Sequence, residues 1–149
     1  DHLSNKCDFI ISCVGKDLDL KDVYLSKNGI LKGLSPKTLI VDHTTASYDI
    51  SKVLYEKTLG KKCYFFDAPI SGGEIGAING TLSIMVGGKN SKFNNIKEIL
   101  DLYSKSLIYM GKPGSGQLTK MVNQICVATI IQGLAEGLNF AKKKKTWCW

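Results

Sequence analysis

The sequence predicts an α/β fold built on a largely parallel sheet covered on both faces. Short, mostly apolar runs at residues 7–14, 38–42 and 63–70 are separated by stretches with helical spacing. Strands buried on both faces read as continuous apolar runs, and alternation of such runs with helices marks a parallel sheet. The chain of 149 residues is 44% hydrophobic and 22% charged, enough for one soluble domain with a real core.

The first run, CDFIISCV, is a strand closed by Gly15. Residues 17–25 follow as a helix with Leu18, Val23 and Leu25 apolar, ending near Asn28-Gly29. Residues 30–34 form a helical turn stopped by Ser35-Pro36, and TLIVD at 38–42 is the second strand. Residues 47–59 are a helix with Ile50, Val53 and Leu54 inward, and CYFFDAPI at 63–70 is the third strand. After Gly80, TLSIMVGG reads as a further strand, with an antiparallel orientation open. Residues 93–102 are a helix with Phe93, Ile96, Ile99 and Leu100 on one side, and 106–111 are the last strand. Past a glycine-rich loop at 111–116, residues 117–143 form one long helix, apolar enough in its middle to be expected buried between layers or subunits. The last residues, 144–149, break the pattern and are expected to be an unstructured tail.

The formal charge is +7, carried entirely by lysine; there is no arginine. Sequence-specific nucleic-acid readers lean on bidentate arginine contacts, so the charge reads as a solvated basic surface with a weak general attraction for anions. The apolar stretch at 122–141 is interrupted by Gln132, Glu136 and Asn139, which argues against a membrane span. The polar residues 1–8 lead directly into a strand and do not read as a signal peptide. Five cysteines without a CxxC, two of them (Cys13 and Cys126) inside apolar runs, suggest buried thiols in a reduced intracellular setting, cytoplasmic or organellar. Neither His2 nor His43 has a partner at metal-ligand spacing.

Three places could carry chemistry. Ser71-Gly72-Gly73 follows a buried strand, and its glycines let backbone amides approach a carboxylate; taken alone, an ordinary tight turn is the commoner meaning of such a triplet. Lys120 and Asn123 lie at i, i+3 on the long helix. Burial and the positive helix end would both lower the lysine pKa, as a general acid–base needs, although a snorkelling surface lysine has the same spacing. Thr44-Thr45 and Gly15 stand at the carboxyl ends of predicted parallel strands, where α/β sheets bind ligands; the threonines could instead cap the next helix. Asp42, also at a strand end, has no GxGxxG about 20 residues upstream and is not read as a ribose ligand.

Two motifs, DAPISGG with GAINGTLSIMVGG, and GSGQLTKMVNQ running into Ala135-Glu136-Gly137, resemble the β-hydroxyacid dehydrogenase family. That family includes 3-hydroxyisobutyrate dehydrogenases, tartronate semialdehyde and glyoxylate reductases and, more distantly, 6-phosphogluconate dehydrogenase. The resemblance runs from Cys7 to about Lys143. It implies a nicotinamide cofactor, NAD or NADP, and a small hydroxy-acid substrate, with no nucleic-acid or membrane partner. It implies Lys120 as catalytic lysine, Ser71, Gly72, Gly73 and Asn123 as substrate-binding residues, and Val14, Gly15 and Thr45 beside the cofactor. Val14-Gly15 stands where the family usually has Leu-Pro, so the contact there would be through backbone; Asp19 stands where an asparagine can be found and is not assigned a role.

The fold so implied is a partial Rossmann-like, doubly wound sheet lacking its first βαβ unit, over residues 1–115. The first long helix of an all-α second domain follows at 116–143, then the tail at 144–149. The diphosphate-binding GxGxxG unit would precede this chain, so weak or no binding of NADH or NADPH by these 149 residues is expected. The expected reaction is hydride transfer on a 3-hydroxy acid. The other reading is an inactive truncated fragment, or a non-catalytic scaffold assembling through the long helix, and the exposed apolar helix face implies a homo-oligomer or self-association.

Overall fold

The computed structural model describes residues 3–146. Strands β1 (Phe9–Ser12), β2 (Leu39–Asp42) and β3 (Tyr64–Asp67) run parallel, with Ser12, Asp42 and Asp67 level at their carboxyl ends. Adjacent strand residues face opposite ways. Ile40 and Phe65 therefore join Leu20, Tyr24, Ile50 and Leu54 on one face, while Val41 and Phe66 join Ile84, Val86, Ile96 and Leu100 on the other. Helices α1 (Asp17–Leu25) and α2 (Tyr48–Gly60) cover the first face, and α4 (Phe93–Leu100) the second. The predicted parallel-dominated sheet, covered on both sides, is what forms.

The third strand differs from the expectation. It breaks at Ala68-Pro69 and resumes as β4 (Ile70–Ser71). Asp67 pairs with Gly87 and Ile70 with Ile84, one continuous antiparallel register against β5 (Leu82–Gly87). Proline offers no N–H to the ladder, but its carbonyl accepts from Met85 N at 3.1 Å, so pairing survives the break. The other edge of β5 carries β6 (Ser104–Gly111), parallel to it. GEIGAI is a short helix, α3 (Gly73–Ile78), and not an open turn. The helix after residue 93 ends at Leu100, and a 3-10 turn (Asp101–Tyr103) leads into β6.

Residue-level expectations fare unevenly. On α1 the buried side chains are Leu20 and Tyr24, and Leu18 is exposed; on α2 Ile50 and Leu54 are buried and Val53 is not. Cys63 is buried, but Cys13 and Cys126 are exposed, so apolar neighbours in sequence did not mean burial. Helix α5 (Ser115–Lys144) buries only Gly116, Gln117 and Lys120. Among the described residues no layer covers the rest, and Ile125, Ile130, Ile131 and Leu134 are each more than 60% exposed. By length and composition alone α5 could cross a membrane, so the interrupting polar residues do not by themselves exclude a span. Lys144 ends the helix and Lys145 caps it in left-handed backbone, with Thr146 N donating to Ala141 O at 3.1 Å; of the tail expected at 144–149, residues 147–149 lie outside the described residues.

Candidate active site

At the carboxyl ends of β1 and β2 a buried polar network sets the loops that follow. Ser12 Oγ donates to Asp42 Oδ1 at 2.7 Å, which leaves Ser12 to accept from the Tyr24 hydroxyl at 2.6 Å. Thr44 Oγ1 also donates to Asp42 Oδ1, at 2.7 Å, and accepts from Val14 N at 2.9 Å. Burial pushes the Asp42 pKa up, against the Ser12 and Thr44 hydrogen bonds that pull it down. With no exposed surface, Asp42 is a brace under the loops. Val14 is thereby joined to the Thr44-Thr45 loop, with Gly15 and Thr45 exposed beside it. Thr44 and Thr45 do not cap α2; Ser47 does, accepting from Ile50 N at 3.2 Å, and it is held in turn by Asp17, to which Ser47 N donates at 2.8 Å.

A second set of bonds seats α5. Asp67 Oδ1 accepts from Gly114 N at 2.7 Å and Oδ2 from Gln117 N at 3.0 Å, so a carboxylate meets the amides of the helix start. Gln117 is wholly buried, its Oε1 accepting from Ala46 N at 3.0 Å and its Nε2 donating to Thr44 O at 2.6 Å. Gly116 packs so closely that a Cβ would stand 2.6 Å from Asp67 O. Lys120, one turn on, is 8% exposed. Its pKa is lowered by desolvation, and it makes no hydrogen bond or ion pair among the described residues. Helix-end electrostatics, also expected to lower it, is not among the causes.

Asp67 makes a pH test of this seat. Burial raises its pKa from 3.8 to about 6 despite the amides of Gly114 and Gln117. Between those values the folded state binds more protons than the unfolded, so the contribution of this group to stability is full below pH 3.8 and falls as pH rises through about 6. Urea unfolding at pH 4 and pH 7 should show a loss on the order of 3 kcal/mol from this carboxyl as pH rises. Asp67→Asn should flatten that difference; an unchanged pH dependence in the variant would contradict the assignment.

Ser71 ends β4 opposite Ser83, and Gly72 and Gly73 follow with φ of 134° and 63°, a region open to glycine at little cost. Both glycines are exposed, and nothing lies within 4 Å of where a Cβ on Gly73 would stand. No hydrogen bond among the described residues joins this turn to Lys120 or Asn123. Asn123 is half-buried and donates to its neighbour Gln124 Oε1 at 3.1 Å. The structure therefore connects Val14, Thr44-Thr45 and the helix of Lys120 by direct bonds, and leaves Ser71-Gly72-Gly73 and Asn123 outside that network.

Residues 1–111 match the profile of the NAD binding domain of 6-phosphogluconate dehydrogenase. The chain belongs to that family. An uncharacterized oxidoreductase of Shewanella frigidimarina is 47% identical to this NAD-binding-domain chain over 135 residues, covering 91% of it and 46% of the relative. The mitochondrial 3-hydroxyisobutyrate dehydrogenase of Mus musculus is 34% identical over 137 residues, covering 92% and 41%. Among solved structures, 3-hydroxyisobutyrate dehydrogenase of Mycobacterium tuberculosis, solved with L-serine, superposes with a TM-score of 0.91 at 26% identity, over 99% of this chain and 50% of that one. The chain thus spans about half the length of the curated relatives it matches.

Sequence reasoning missed Gln117 and Asp67, which do most to seat Lys120. One signal was available for each: a polar residue in the buried first turn of a helix, and an acid closing an apolar strand just before a glycine-rich helix start.

Proposed function

We propose that the protein carrying this chain is an NAD(P)-dependent dehydrogenase of small 3-hydroxy acids, of the 3-hydroxyisobutyrate dehydrogenase type. The observation that supports this most is Lys120, a desolvated amine with no hydrogen-bond or ion-pair partner among the described residues, held at the start of α5 by Gln117 and Asp67. A lowered pKa increases the neutral fraction of the amine, the form that accepts a proton. In oxidation Lys120 takes the hydroxyl proton of the substrate, and in reduction it returns it. Ser71, the amides of Gly72 and Gly73, and the Asn123 carboxamide hold the carboxylate and hydroxyl, so that the reacting carbon is presented in one orientation.

The loops fit a nicotinamide end: exposed backbone at Gly15, an exposed Thr45 hydroxyl, and a buried brace that fixes both. Val14, Gly15 and Thr45 would hold the ring, which supplies or takes up the hydride when bound. The domain boundary falls near residue 115, with α5 opening the helical part. Assay of the full-length protein against a panel of 3-hydroxy acids with NAD and NADP tests the reading; no turnover with any of them would refute it.

A second reading is favoured by one observation, the bare apolar face of α5. Exposed patches of this kind mark an interface, and this face would be covered by a second copy or by further helices of the same protein. Size-exclusion chromatography of the 149-residue chain should show self-association; a clean monomer with a cooperative melt would contradict it.

A further inference from the structure

We infer that Gln117 is a positioning residue that couples the loop at 44–46 to Lys120; the functional meaning of that coupling rests on the dehydrogenase reading above. The Gln117 amide is wholly buried and committed at both ends. Ala46 N–H can only donate and Thr44 C=O can only accept, so the orientation of the amide is fixed by its partners. The two bonds bracket Thr45, whose own side chain is exposed. Gln117 N is tied separately to Asp67 Oδ2, so the side chain cannot follow the loop unless the first turn of α5 moves. Lys120 follows at i+3 on the same buried face of that turn. From Val14 N through Thr44 Oγ1, and from Thr44 O through Gln117, one connected path runs from the loops to the helical turn that carries Lys120. A displacement of Thr45 is therefore felt at Lys120, and the reverse.

The test uses the 149-residue chain and no activity. Its lysines are reductively methylated with 13C, and the Lys120 signal is identified by its loss in Lys120→Arg. In the parent chain Lys120 should titrate below the ordinary value of 10.5. Gln117→Met fills the space without polar ends. It should move that midpoint by about 0.5 unit or more toward the ordinary value, and speed hydrogen exchange at the Ala46 amide about tenfold. Gln117→Asn is one methylene short and reaches only one partner; it should give intermediate shifts in both readouts, and it carries the test if the methionine variant does not fold. Faster exchange at Ala46 with an unmoved Lys120 midpoint would reduce Gln117 to a loop anchor and overturn the coupling, as would no change in either. Because neither readout needs turnover, such a failure is separable from failure of the dehydrogenase reading, which turns on activity.

Discussion

Replacing Lys120 by alanine in the full-length protein should lower kcat by about 10²–10⁴-fold, the usual worth of a positioned acid–base group. The KM for the hydroxy acid should change far less, because proton transfer is made in the transition state and not in the ground state. The structural ground is a lysine that is 8% exposed, has no carboxylate partner among the described residues and has its pKa lowered by desolvation. A lysine serving only to snorkel or to solubilise would be replaced with little effect on rate. The pH profile adds a check. If the neutral amine is the working base in oxidation, kcat for oxidation rises with pH through a midpoint below 10.5, and that limb should vanish in the variant. Retained activity in Lys120→Ala would remove the mechanism.

Gly116→Ala should be strongly damaging, because its clash is with backbone at the seat of α5. Its Cβ would stand 2.6 Å from Asp67 O and 2.8 Å from the Asp67 carboxylate, and would also press on Met85 O. Two of these atoms are backbone in a paired strand region, so relief must come from the helix. Overpacking of this kind costs about 1–3 kcal/mol and sometimes more. Lifting the first turn also pulls Gln117 from Thr44 and Ala46 and moves Lys120. A misplacement of about 1 Å at a reacting group can cost on the order of 10²-fold in rate. Thermal melting and kcat should fall together. A variant with parent-like stability and rate would show that the helix start is not seated as described.

Much of the architecture was legible because burial on two faces leaves a plain mark. Ile40-Val41 and Phe65-Phe66 are each a pair of adjacent apolar residues that serve opposite faces, and only a doubly covered strand needs both. The break at Pro69 was less visible, since Ala68 and Ile70 are both apolar and the run looked continuous. α3 was hidden by its two glycines and the glycine that precedes them, which argue for a turn by propensity. The exposure of Cys13 and of most of α5 could not be read from apolar neighbours, because periodicity says which residues are sticky and not what covers them.

The candidate site divides the same way. Lys120, Gly15 and Thr45 were picked out by their places on elements and Val14 by the family resemblance; the structure bonds Val14 to Thr44, and Thr44 to Gln117 on the helix of Lys120. The polar residues that accomplish the linking, Gln117, Asp67 and Asp42, are buried hydrogen-bonding groups 50 or more residues from some of their partners, or hidden beneath the loops they support. Nothing local in sequence reports such pairings.

The central claim is that the Lys120 amine and the Ser71-Gly72-Gly73 turn grip one small acid. A crystal structure of the full-length protein with a 3-hydroxy acid bound tests it most directly. The account expects the carboxylate on the amides of Gly72 and Gly73, and the hydroxyl within about 3 Å of Lys120 Nζ. A ligand bound elsewhere, or a Lys120 ammonium turned away from that turn toward bulk water, would contradict it.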